Sequence, residues 1–211
     1  MRQGLCALLA VDGRFKVAGE ARTGREAVKL AEELQPDVIL MDIALPELNG
    51  LEATRQILDT NPAAKVVVLS AYSDEAYVER MNAVGVAGFL EKQTSATVLT
   101  KAIAEVAEGK TYFSPTITRR LQGNPRKARD RDGKVKAKGK RLTGREAEVL
   151  QMVAEGMPNK QIATTLCISV KTVEKHRQQL MDKLNIHDTA GLTRHAIATG
   201  VIECVVKLEI I

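Results

Sequence analysis

A helix signal with a fixed start, set behind a tight turn, constrains this chain more than any other stretch. It runs from Ser169 to Leu184. Ser169 is an N-cap residue type, able to accept a hydrogen bond from a backbone N–H two or three residues on. Val173, Leu180 and Leu184 then recur on one stripe, while Lys171, Glu174, Lys175 and Gln178 fall on the opposite side. Upstream, Thr143-x-x-Glu146 is a capping box opening a first helix; Val149, Leu150 and Val153 give it one apolar face before Gly156 ends it. A second short helix is expected from about Asn159 to Leu166, with Ile162, Ala163 and Leu166 inward and Cys167-Ile168 as the turn. Helices this short bury their apolar faces only against one another. The outward polar face of the third has the form of an element that reads a DNA major groove. A plain solvated face is the simpler reading of such a stripe, but the cap, the turn and the two supporting helices argue against it.

The motifs along this stretch resemble the LuxR/FixJ-type helix-turn-helix. Leu-Thr-x-Arg-Glu (142–146), Glu148-Val-Leu150, Ala154-Glu-Gly156, Asn159-Lys-x-Ile-Ala163, Ile168-Ser-x-Lys-Thr-Val173, Lys175-His-Arg177 and Lys183-Leu184 carry the likeness. The resemblance implies a four-helix DNA-binding domain. Its fourth helix, near Thr189 to Thr199 and closed by Gly200, often makes the dimer contact in that family. By position it makes Glu174, Lys175 and Gln178 candidates for base edges. Asn159, Lys160, Lys171, Thr172 and Arg177 become candidates for phosphates. Arg177 has a second reading, packing inward, because it lies near the Val173 stripe.

The net charge of +5 over 211 residues changes meaning once it is divided. Residues 1–113 hold 12 Lys/Arg and 16 Asp/Glu, residues 114–141 hold 11 and 2, and residues 142–204 hold 7 of each. The basicity therefore sits in a connector. Arg119–Arg141 has only Leu121 and Val135 as sizeable apolar residues and cannot bury a core, so 114–141 is expected to be a flexible linker. It is either a solvated tether or one that adds salt-dependent attraction to DNA phosphates. Cys6, Cys167 and Cys204 are scattered and fit reduced thiols of a cytoplasmic protein; with His176, His187 and His195 they form no zinc spacing. No apolar run is long enough to span a membrane, and no signal peptide is expected.

Residues 1–113 alternate strand and helix signals. Strands are expected at Phe15–Ala21, Val38–Asp42, Val66–Ser70 and Gly88–Leu90, and helices at Gly24–Leu34, Leu51–Leu58, Glu75–Val84 and Ala96–Glu108. This is the pattern of a doubly wound α/β domain with a parallel sheet, whose chemistry collects at the carboxyl ends of the strands. Asp42, Ser70 and Lys92 fall there. A carboxylate can attack phosphorus to form an acyl phosphate, and a hydroxyl and an ammonium can hold the new phosphoryl oxygens.

With Pro46 and Gly50, these residues resemble the receiver domain of two-component response regulators. Leu40-Met-Asp-Ile-Ala-Leu-Pro46, Val67-Val-Leu-Ser-Ala71 and Gly88-Phe-Leu-Glu-Lys92 carry the match. The resemblance implies Asp42 as phosphoacceptor, Ser70 as switch hydroxyl, Phe89 as switch aromatic and Lys92 as the phosphate-binding Lys. A haloacid-dehalogenase-type phosphatase would need a second Asp where Ala44 stands.

The chain departs from that family at its start. A receiver begins with a buried strand ending in two acidic residues that hold Mg²⁺. Here Arg2, Gln3, Gly4, Leu5, Leu8 and Leu9 resemble the first helix instead, and Asp12 and Glu20 stand on the wrong side of it to replace the pair. Mg²⁺, expected for the family, would keep only Asp42 and the Ala44 backbone carbonyl, an incomplete site. Loss of a central strand is expected to expose backbone and apolar surface on its neighbours. Three readings stay open: a start downstream of the strand, a receiver folded through dimer formation or strand exchange, or filling of the gap by Val205–Ile211. The simpler reading of 205–211 is a frayed or helical tail.

The expected whole is α/β plus all-α: a flavodoxin-like receiver lacking its first strand (1–113), the linker (114–141), a four-helix helix-turn-helix domain (142–204) and a C-terminal tail (205–211). The resemblances imply a transcriptional regulator controlled by phosphorylation of Asp42, with no enzymatic role. Its implied partners are double-stranded DNA, a cognate histidine kinase and a second copy of itself, with RNA polymerase a further candidate. The alternative is a phosphorylation-independent DNA-binding protein whose receiver serves only oligomerisation or partner binding.

Overall fold

The computed structural model describes residues 2–70, 75–115, 117–118 and 142–202, with 75–77 described by backbone alone. The expected linker (for all but its first few residues), the tail 205–211 and Cys204 lie outside the described residues. Two compact units form, one α/β and one all-α.

In the first unit, α1 (Arg2–Asp12) and α2 (Gly24–Leu34) precede β1 (Ile39–Asp42), followed by α3 (Gly50–Thr60), β2 (Val66–Ser70), α4 (Glu75–Val84), β3 (Gly88–Glu91), α5 (Ala96–Ala107) and β4 (Tyr112–Phe113). The four strands pair in parallel in the order β1-β2-β3-β4. Every residue of β2 is buried, as a central strand covered on both faces must be. Alternation along the strands divides the core in two. Val67, Leu69 and Leu90 pack with Leu99, Ala102, Ile103 and Val106 of α5, and Leu5, Leu8 and Leu9 of α1 join them. Met41, Val66, Val68 and Phe89 are buried on the other side of the sheet alternation.

One expected strand is not formed. Phe15–Ala21 has β-type composition, yet among the described residues it joins no ladder. A strand exists only with a partner whose N–H and C=O groups face its own. In a flavodoxin-like order the segment would sit one place away from β1 with another strand between. β1 is accordingly the edge of the described sheet, and Ile39 and Leu40 are only half-buried. Asp12 and Glu20 are engaged nearby rather than at the strand ends: Arg14 donates to Asp12 at 2.8 Å and Arg2 to Glu20 at 2.7 Å. In the other direction, β4 was not foreseen, since two residues carry no periodicity to detect.

The second unit contains α6 (Gly144–Ala154), α7 (Asn159–Thr165), α8 (Val170–Leu184) and α9 (Thr189–Ala198). Its core joins Val149, Leu150, Met152, Val153, Ile162, Ala163, Leu166, Val173, Leu180, Leu192 and Ala196, with Leu184 packed against it. The local signals act as expected. Thr143 and Glu146 close a full capping box, and Ser169 accepts from Thr172 N–H at 3.1 Å to start α8. Cys167 takes φ +52°, the left-handed turn that separates α7 from α8.

Candidate phosphoacceptor cluster and nucleic-acid interface

At the carboxyl ends of β1, β2 and β3 the structure gathers the residues expected there. Asp42 closes β1, Ser70 closes β2, and Lys92 follows β3. Parallel register brings them level, with Asp42 opposite Leu69 and Ser70 opposite Glu91. The Lys92 backbone N–H donates to the Ser70 carbonyl at 2.7 Å, which seats the lysine beside the cluster. Its ammonium then donates to Asp42 Oδ2 at 2.7 Å, while Ala44 N–H donates to Asp42 Oδ1 at 3.2 Å. Both carboxylate oxygens thus have partners, and the pair remains partly open to solvent, with side-chain exposures of 21% for Lys92 and 28% for Asp42. Ser70 and Phe89 are buried.

Gly50 makes this arrangement possible. A Cβ there would lie 2.0 Å from the Asp42 carbonyl oxygen, so only glycine lets α3 begin this close to the end of β1. The Gly50 N–H donates to the Ile43 carbonyl at 2.9 Å and closes the loop.

The oxygen set does not suit Mg²⁺. Among the described residues no three His, Cys, Asp or Glu side chains gather where they could hold a metal. Mg²⁺ asks for near-octahedral oxygen ligation, and here Asp42 is already held by a cation.

In the all-α unit, α8 buries Val173 and Leu180 and leaves Lys171, Glu174, Lys175 and Gln178 exposed, as its periodicity predicts. Lys160 is exposed at the start of α7. Thr172 is half-buried, its hydroxyl 2.8 Å from that of Ser169. Gln178 donates to Asp182 at 2.8 Å, one turn on. Arg177 is half-buried and tied to its neighbours. Its guanidinium donates to Asn159 Oδ1 at 2.8 Å and to Thr189 Oγ1 at 3.0 Å, bridging α7, α8 and α9.

Two further ties were not visible in the sequence. Lys183 Nζ donates to Glu146 Oε2 at 2.6 Å. Burial disfavours the charged form of Glu146, but hydrogen bonds from Lys183 and from Thr143 outweigh it and hold the carboxyl below the usual carboxylate range. Arg145 donates to Glu148 at 2.6 Å and to the Leu166 carbonyl at 3.1 Å, fastening α6 to the end of α7. The one local hint was the placement of Lys183 in the last turn of its helix, where a cation is favoured. Of the cations in this unit, Arg145 and Lys183 are thus spent on structure. Lys160, Lys171, Lys175 and Arg177 form no ion pair among the described residues.

No helix among the described residues is long and apolar enough to cross a membrane. Residues 1–104 match the response regulator receiver domain family, and residues 140–196 match the bacterial regulatory proteins of the luxR family. The chain is 36% identical over 210 residues to the transcriptional regulatory protein DegU of Brevibacillus brevis, covering 94% of this chain and 89% of that one. It is 32% identical to the response regulator GacA of Pseudomonas aeruginosa, covering 96% and 93%. Among solved structures, a LuxR-family two-component response regulator from an Aurantimonas species is similar at TM-score 0.54 and 29% identity, over 58% of this chain and 87% of that one. RcsB of Salmonella typhimurium shares the fold at TM-score 0.52 and 24% identity, covering 93% and 92%. A parallel-sheet receiver joined to a capped four-helix reading unit, matched over both parts by transcriptional relatives, places the chain in the LuxR-type family of two-component response regulators.

Proposed function

We propose that this protein is a cytoplasmic response regulator that binds a specific double-stranded DNA site as a homodimer and is switched by phosphorylation of Asp42. The observation that carries the switch is the 2.7 Å pair between Lys92 Nζ and Asp42 Oδ2 at the strand ends. In the transfer, a carboxylate oxygen of Asp42 attacks the phosphorus of a phosphohistidine on a cognate kinase. The P–N bond breaks and its electron pair leaves with the imidazole. Lys92 exchanges Asp42 Oδ2 for a new phosphoryl oxygen, and the Ser70 hydroxyl donates to another. Phe89, buried on the same strand that leads to Lys92, follows as the switch aromatic. A coupling of a few kcal/mol is enough to shift a two-state output substantially.

The output is α8 in the major groove. Glu174, Lys175 and Gln178 read base edges, and Asn159, Lys160, Lys171 and Thr172 contact phosphates, with Arg177 at the centre of the group. The boundaries proposed are 1–113 for the receiver, 114–141 for a basic tether, 142–204 for the DNA-binding domain and 205–211 for a tail. Supporting DNA and dimer formation is the fold shared with RcsB, whose solved structures include dimers bound to DNA. RNA polymerase is a further proposed partner.

A second reading is favoured by one observation, the lack of a metal-binding acid cluster among the described residues. In it, DNA is bound without phosphorylation and the receiver serves for assembly. Incubation with a small phosphodonor and Mg²⁺, followed by intact mass, separates the two. A phosphoryl mass gain that is lost in Asp42→Asn supports the switch, and no gain in the unaltered protein supports the second reading.

A further inference from the structure

We propose that Arg177 is a positioning residue for DNA binding, one that sets the side chains of Asn159 and Thr189 as outward hydrogen-bond donors to the phosphate backbone. The inference rests on the DNA-binding function proposed above. Arg177 projects from the middle of α8 and meets the first residue of α7 and the first residue of α9, at 2.8 Å and 3.0 Å. A guanidinium has donors and no acceptor, so each partner must offer an oxygen to it. Asn159 accepts through Oδ1, which turns its amide Nδ2 hydrogens away from the arginine. Thr189 accepts through Oγ1, which leaves its hydroxyl hydrogen to point elsewhere.

Neither of these two side chains has a second partner among the described residues, and Thr189 is exposed. The fork is rigid and planar, so one side chain fixes the direction of both donors and the seating of two helices on the third. Arg145 and Lys183 each meet a carboxylate, whereas Arg177 is held by neutral oxygens alone. An arginine held this way spends its guanidinium hydrogens on the two partners, so what it gives the interface is the direction of their donors. Thr189 thereby joins the interface, a residue that the reading of the sequence did not include.

The test uses the full chain and a duplex recovered by its own selection from a randomised DNA pool. Affinity and its salt dependence are measured for Arg177→Met, for the pair Asn159→Ala and Thr189→Ala, and for all three together. Thermal unfolding of each variant sets a temperature at which all are folded. Arg177→Met is expected to weaken binding about tenfold in the unaltered background. In the background lacking both partners it should cost less than about twofold, because its action runs through them. The salt slope should not change. If Arg177→Met does not fold, Arg177→Lys, which reaches one acceptor, is measured in the same two backgrounds with the same expectation of non-additivity. Equal losses in both backgrounds, a salt slope lowered by about one per domain, or undiminished affinity would each overturn the role. An unaltered chain that enriches no duplex would overturn the DNA-binding reading itself, and this role with it.

Discussion

Lys183 Nζ lies 2.6 Å from Glu146 Oε2, so the last turn of the candidate reading helix is fastened to the first turn of α6. The same carboxylate oxygen accepts the Thr143 backbone N–H at 2.8 Å. One side chain therefore caps its own helix and anchors another. Glu146 is 3% exposed, so its charge is stabilised by these donors and not by water. Replacing Lys183 by Met leaves that charge buried with its cation gone and is expected to cost about 3 kcal/mol. Amide exchange across residues 170–184 measures it; protection equal to that of the unaltered chain would remove the anchoring role.

The depressed titration of Glu146 sets a pH dependence with a definite sign. A carboxyl whose folded pKa lies below its unfolded value stabilises the fold fully above the unfolded value. That contribution is lost as pH falls through the folded one. Protection of α8 should therefore fall on acidification below about 4.3, the ordinary Glu value. In Glu146→Gln the decline over that range should be shallower.

Cys167 turns the chain between α7 and α8 with φ +52°, a region that costs an L-residue about 1 kcal/mol. Cys167→Gly should raise stability by up to about 1 kcal/mol, and β-branched Cys167→Val should lower it by about 1–2 kcal/mol. Urea unfolding of the three proteins decides; a Gly variant less stable than the Val variant contradicts the account.

Gly50→Ala puts a methyl 2.0 Å from the Asp42 carbonyl oxygen, a backbone atom that cannot swing away. The expected result is a loss of about 2–4 kcal/mol in the α/β unit, in the range of strained or overpacked substitutions. Loss of phosphoryl uptake at Asp42 should accompany it. Thermal unfolding together with intact mass after phosphodonor treatment reads both.

Lys175 is exposed on α8 and forms no ion pair among the described residues. Lys175→Ala should weaken binding to the selected duplex by about 1–3 kcal/mol if the side chain meets a base. Equal weakening on random-sequence DNA would make it a phosphate contact instead.

The parts of this protein legible in its sequence are those written in local spacing. Thr143 with Glu146 and Ser169 with Thr172 act over three residues, so their caps follow from the letters alone. Asp42, Ser70 and Lys92 could be placed together because a parallel sheet aligns strand ends whatever the loops between them do. What was missed depends on distance along the chain. Glu146 and Lys183 are 37 residues apart, and Thr189 meets Arg177 only once three helices have packed. The error at Phe15–Ala21 has the same origin. Its composition suits a strand, but a strand is a property of two segments, and among the described residues this one has no partner.

In the proposed switch, phosphate on Asp42 governs DNA reading by α8. The direct measurement is the affinity of the full chain for its selected duplex, at fixed salt, before and after phosphodonor treatment, in the unaltered protein and in Asp42→Asn. Treatment of the unaltered protein should change the affinity by about fivefold or more, and treatment of Asp42→Asn should leave it unchanged. Equal affinities before and after, in a sample whose mass shows full phosphorylation, would contradict it.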